Sequence, residues 1–154
     1  MPNSFRVILP YRYFAVCDWI TEPGVAETNT LLALARSDVA ASDGRRIIVC
    51  PASESAVTAH FEHLGDAPAG GDDAWDGDVD LRVECPSGTI YIDQPSALAI
   101  DLEDVLAAGA GTYAARIAWR GREAGDGHEE YLVQMWRTGP VSDATLAQLE
   151  SDED

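Results

Sequence analysis

The sequence has no lysine: its ten basic residues are all arginine, set against 27 aspartates and glutamates, for a net charge of −17. A folded chain of this length exposes on the order of 7,500 Å², or roughly one net negative charge per 440 Å². Such a surface repels nucleic acid and anionic membranes and attracts basic partners. A long apolar run is also missing. Arg6 and Arg12 interrupt the only early apolar stretch, which argues against a signal peptide or a membrane helix and for a cytoplasmic location. Cysteine is scarce. Cys17, Cys50 and Cys85 are odd in number and widely spaced, so they form neither a disulfide framework nor a C-x-x-C metal pair. They read as small buried hydrophobes in the reduced state. Histidine is equally sparse. His60 and His63 would point to opposite faces of a strand, and His128 stands alone beside Glu129 and Glu130, so no metal or other cofactor is expected.

Catalytic signatures are absent too. There is no G-x-S-x-G, and Gly109-Ala110-Gly111 precedes a strand pattern rather than a helix, so it is not a phosphate loop. Paired carboxylates carry no signal in a chain with 27 acids. The expectation is a protein that is not an enzyme.

What is present is alternation, the period of half-buried strands. In Asp80-Leu81-Arg82-Val83-Glu84-Cys85, the apolar residues Leu81, Val83 and Cys85 share one face. Pro86-Ser87-Gly88 then turns the chain, and Ile90 and Ile92 resume the pattern, which reads as a β-hairpin. Tyr11, Tyr13, Ala15 and Cys17 line one face of an early strand. Leu31 to Ala35 is a further short apolar segment, and the turn signal Asp43-Gly44 leads into Ile47-Ile48-Val49-Cys50. Val57 to Leu64, Leu98 to Leu102, Tyr113 to Trp119 and Tyr131 to Trp136 follow suit.

About eight short strands separated by turns predict an all-β fold, an antiparallel β-sandwich with one or two short helices. The chain is long enough for one core, placed in residues 1–140. One helix candidate is a turn or two at Glu103 to Ala108. The other starts at the N-cap Ser142, with Val141 and Leu146 at staple positions and Leu149 as a further docking residue. It leads into an acidic tail ending at residue 154.

The charge is uneven: residues 1–71 carry a net −3, and residues 72–154 a net −14. Between Glu62 and Asp80 stand seven acids and no arginine or lysine, with Trp75 among them. A run of carboxylates around an aromatic ring suits a basic protein surface, because the acids steer and the ring supplies contact area. Asp72, Asp73, Trp75, Asp76, Asp78 and Asp80 are therefore the candidate partner-binding residues. The same stretch is rich in oxygen ligands, and a small-ligand- or calcium-binding sandwich is the alternative. It is not an EF-hand: with Gly77 at the sixth position, the third is Ala74 and the twelfth Val83, so two ligands are missing.

The order of segments resembles a known family. Tyr11-Arg12-Tyr13-Phe14-Ala15-Val16 is followed by Ala40-Ala41-Ser42-Asp43-Gly44 and a strand. Asp78 to Cys85, Pro86-Ser87-Gly88, Ile90-Tyr91-Ile92 and Leu98 to Leu102 come next, then Gly111-Thr112-Tyr113 and Glu130-Tyr131-Leu132-Val133-Gln134. Over roughly residues 10–137 this is similar to the competence protein J family and its small acidic relatives. The resemblance implies a non-catalytic sandwich, and its founding member inhibits a DNA-entry nuclease by binding it. With the acidic surface, the expectation is an inhibitor or immunity-type factor whose partner is a basic protein such as a nuclease or toxin; the family's own target does not carry over. The acidic segment from Gly65 to Asp78 and the acidic tail depart from the family.

Overall fold

The computed structural model describes residues 3–8, 12–19, 25–52, 56–68, 74–94, 99–102, 106, 108–122 and 129–152. Among these residues ten strands and two helices follow in the order β1 (Asn3–Ile8), β2 (Phe14–Asp18), α1 (Val25–Asp38), β3 (Ala40–Ser42), β4 (Arg46–Val49), β5 (Ala56–Leu64), β6 (Gly77–Cys85), β7 (Ile90–Asp93), β8 (Ile100–Leu102), β9 (Gly111–Arg120), β10 (Glu130–Gly139) and α2 (Asp143–Asp152). They build two five-stranded sheets, ordered β1-β5-β10-β9-β6 and β3-β4-β2-β7-β8. The expected all-β sandwich is therefore the fold. Its pairings are antiparallel except β10 with β5, which run parallel.

Alternation explains why the sheets stack. Val57, Ala59 and Phe61 of β5, Tyr113, Ala115 and Ile117 of β9, and Tyr131, Val133 and Met135 of β10 turn inward as one buried layer. Phe14 and Val16 of β2, Ile47 and Val49 of β4, and Ile90 and Ile92 of β7 meet them from the second sheet. Each such large side chain removed from water stabilises the fold by about 1.5–3 kcal/mol. The second sheet is buried on both faces. Ala15, Cys17, Ile48 and Cys50 form a smaller cluster with Leu31 and Ala35 of α1. The outer face of the first sheet carries the polar alternates Arg116, Arg120, Glu130 and His60.

Three expectations need correcting. Leu31 to Ala35 is not an extended segment but the middle of α1. Leu31 and Ala35 lie four apart on one helix face, which suits a helix better than a strand. Its end carries no glycine signal; Val39 takes the left-handed conformation there, with φ 74°, where glycine is usual.

The supposed hairpin at Pro86-Ser87-Gly88 is an arch. β6 belongs to the first sheet and β7 to the second, so the turn carries the chain across the core. Alternation continues through it because both strands still face the same interior. Gly88 is required: its φ is 74°, and a Cβ would come within 2.6 Å of the Ala110 backbone nitrogen.

Ser142 does cap α2, its Oγ accepting the Thr145 N–H at 3.2 Å. Leu146, however, is 46% exposed, and the side chain that docks this turn is Thr145, which is buried. Of the Glu103 to Ala108 candidate, Leu106 and Ala108 are not helical and the rest lies outside the described residues. Among the described residues no helix is long and apolar enough to cross a membrane.

Candidate functional site

The described part of the acidic segment runs along the border of the first sheet, where β6 is the edge strand. Asp72 and Asp73 lie outside the described residues. Trp75 is half-buried and folds back onto the sandwich, with the Arg120 guanidinium 4.4 Å from its ring centroid. Arg120 is itself held by Glu130 at 2.5 Å. Asp76 accepts the Gly121 N–H at 3.0 Å and so pins the entry to β6 against the end of β9. Asp78 and Asp80 are exposed on the outer face. Asp80 meets Arg116 at 2.9 Å, and the hydrogen bond that Arg116 donates to Asp80 raises the Arg116 pKa.

The cluster is thus less naked than its sequence. No arginine stands between Glu62 and Asp80 in the chain, yet β9 lays Arg116 and Arg120 alongside. Both arginines alternate with Tyr113, Ala115 and Ile117, so their outward face is readable; the neighbouring strand is not.

Glu84, also on β6, has a different job. Its carboxylate accepts the Ser142 N–H at 2.7 Å and the Thr145 hydroxyl, tying α2 to the sheet edge. Burial pushes its pKa up, but the hydrogen bonds from Thr145 and Ser142 outweigh it and leave it below 4.5. A lowered carboxylate stabilises the fold above its unfolded value, and that contribution is lost as pH falls through the folded value. Docking of α2 should therefore loosen below about pH 4.5, and Glu84→Gln should remove this acid sensitivity while costing about 1 kcal/mol at neutral pH. Amide exchange in α2 as a function of pH reads both effects; an unchanged pH profile in Glu84→Gln would refute the assignment.

Of the remaining chemistry-bearing groups, the cysteines and His63 are inward. Cys17, Cys50 and Cys85 are free and buried. Burial raises their thiols to about 12, about 11 and about 12 respectively, so none is a thiolate at neutral pH. His60 faces outward, its Nδ1 hydrogen-bonded with the Ser4 hydroxyl at 2.7 Å. His63 turns inward, edge-on to Tyr113. Among the described residues, no three His, Cys, Asp or Glu side chains are grouped to hold a metal.

The sandwich has solved counterparts. The fold is shared with ComJ. The crystal structure of ComJ, the inhibitor of the DNA degrading activity of NucA from Bacillus subtilis, matches at a TM-score of 0.65 and 15% identity, over 90% of this chain and 99% of that one. A protein described as crocagin biosynthetic gene J matches at a TM-score of 0.60 and 14% identity, over 89% of this chain and 98% of that one. No family model matches the sequence, and a search of curated proteins finds no match. The likeness to ComJ thus lies in the backbone path.

Proposed function

We propose that this chain is a non-enzymatic, cytoplasmic inhibitor or immunity-type factor that binds a basic protein, with a nuclease as the target class. The observation that carries this reading is the near full-length likeness to ComJ, whose target is a DNA-degrading activity. The net charge of −17 supports it, because a site built to hold a polyanion is electropositive and attracts an acidic surface. Residues 1–140 form the binding domain, and Asp72, Asp73, Trp75, Asp76, Asp78 and Asp80 belong to the contact.

The test is inhibition. A basic nuclease captured from the source cell at low salt should lose its DNA-degrading activity at one-to-one stoichiometry with this protein. A captured partner that degrades DNA equally with and without the chain would overturn the reading.

Changing the five aspartates to asparagine should slow association about tenfold and flatten its salt dependence, since screening acts on exposed charge. Trp75→Ala should instead speed dissociation, equivalent to about 1–3 kcal/mol. Stopped-flow association and dissociation traces separate the two; equal rates for wild type and both variants would remove these residues from the contact.

A further inference from the structure

We infer that the free edge of β6 receives an extended segment of the partner as an added strand, and that this segment alternates basic and apolar side chains. The inference rests on the protein-binding reading above and specifies its mode. β6 ends the first sheet, with β9 on one side and no strand on the other among the described residues. Among the described residues only its last part is covered. The Glu84 N–H donates to the Gly44 carbonyl at 2.8 Å, the Ser42 hydroxyl donates to the Arg82 carbonyl at 2.6 Å, and Gly44 bridges Val83 in parallel.

These bonds set the parity of the strand. In an antiparallel pair a residue turns its N–H and C=O to the same side. Since Arg82 and Glu84 turn theirs away from β9, so do Asp78 and Asp80. Among the described residues the edge therefore offers the N–H and C=O of Asp78 and Asp80 and the N–H of Arg82 as an open ladder. A groove of about 550 Å³ lies where Gly44 closes that ladder, walled by Gly44, Asp80, Leu81, Arg82, Glu84 and Ser142.

Side-chain chemistry selects the occupant. A strand added here places alternate residues beside Asp78 and Asp80 on the outer face, and the others beside half-buried Val79 and Leu81 at the rim of the core. Cross-strand pairs favour opposite charge in the first set and apolar contact in the second. Charged side chains on an edge also deter pairing with like edges. A second copy of this chain, itself carrying −17, is repelled, whereas a basic partner is drawn in.

The probe is a capped eight-residue peptide of alternating Lys and Val, compared with a block peptide of the same composition. The alternating peptide should bind at least about tenfold more tightly and slow amide exchange at Asp78, Asp80 and Arg82. Asp80→Pro removes one outward N–H at an edge position where proline is tolerated. It should weaken peptide binding at least about tenfold, and Asp80→Asn should weaken it less. Equal binding of the two peptides, or protection elsewhere, would overturn the inference without any variant.

Concentration-dependent protection of this edge in the protein alone would overturn the chosen occupant in favour of a second copy. A captured nuclease inhibited equally by wild type and a folded Asp80→Pro would sink the edge mode while leaving the inhibitor reading intact. Peptide pairing without inhibition of any nuclease would do the reverse.

Discussion

Glu129→Ala is expected to destabilise the protein by about 3–5 kcal/mol, the cost of removing one partner from a buried charged network. Glu129 is 6% exposed. Its carboxylate accepts the Ala52 N–H at 2.8 Å and the Tyr131 hydroxyl, and lies 3.9 Å from Arg122. Arg122 in turn donates to the Tyr131 oxygen at 2.6 Å and to the Cys50 carbonyl at 2.9 Å. Burial raises the Tyr131 pKa, and its hydrogen bond to Glu129 raises it further, so the phenol remains a donor at all ordinary pH. The group joins the start of β10 to the segments after β4 and β9. Without the carboxylate, the Ala52 N–H and the Tyr131 hydroxyl lose their acceptor inside the protein. Partial exposure of Arg122 softens the loss. Glu129→Gln keeps an acceptor oxygen and should cost about half as much. Urea unfolding at neutral pH measures both; a Glu129→Ala midpoint equal to wild type would remove the network from the account of stability.

Asp18→Ala should cost about 2–4 kcal/mol, because it strips the arch between β6 and β7 of its acceptor. Asp18 is 2% exposed at the end of β2. Its carboxylate accepts the Ser87 N–H at 3.1 Å and the Ser87 hydroxyl at 2.8 Å. The Thr89 N–H donates to the Ser87 oxygen, and the Trp19 N–H donates to the Thr89 carbonyl. A residue 69 positions away thus holds the turn that moves the chain between sheets. For a domain of this size the loss lowers the melting temperature by roughly 4–16 °C. Asp18→Asn, which retains one acceptor, should recover part of it. Calorimetry of the two variants decides, and an Asp18→Ala melting temperature within a degree of wild type would show that the arch stands on Gly88 and Pro86 alone.

Both carboxylates show where sequence reading stops. Asp18 and Glu129 look like any of the other acids, because burial and partners come from segments far away in the chain. The same holds at the candidate site. Alternation places Asp78 and Asp80 on the outward face of β6, but Arg116 reaches Asp80 only through the pairing of β6 with β9. In the sequence Trp75 is an aromatic ring among carboxylates; only the fold sets Arg120 over it.

Local pattern by itself determined the strand-rich class, the buried face of β5, β6, β9 and β10, the N-cap Ser142 and the acidic surface. Each follows from side-chain period, a short-range hydrogen bond or simple charge count, and none needs a distant partner. Tertiary structure decided the rest. Pro86-Ser87-Gly88 is compatible with a hairpin or an arch, and only competition among strands for partners assigns β6 to β9 and β7 to β2. The run from Leu31 to Ala35 is apolar enough for either a strand or a helix, and it becomes α1 because its Leu31–Ala35 face fits over Ala15, Ile48 and Cys50. The free edge of β6 is likewise a property of the sheet: which strand ends last is fixed by the pairing of all five, not by the residues of any one.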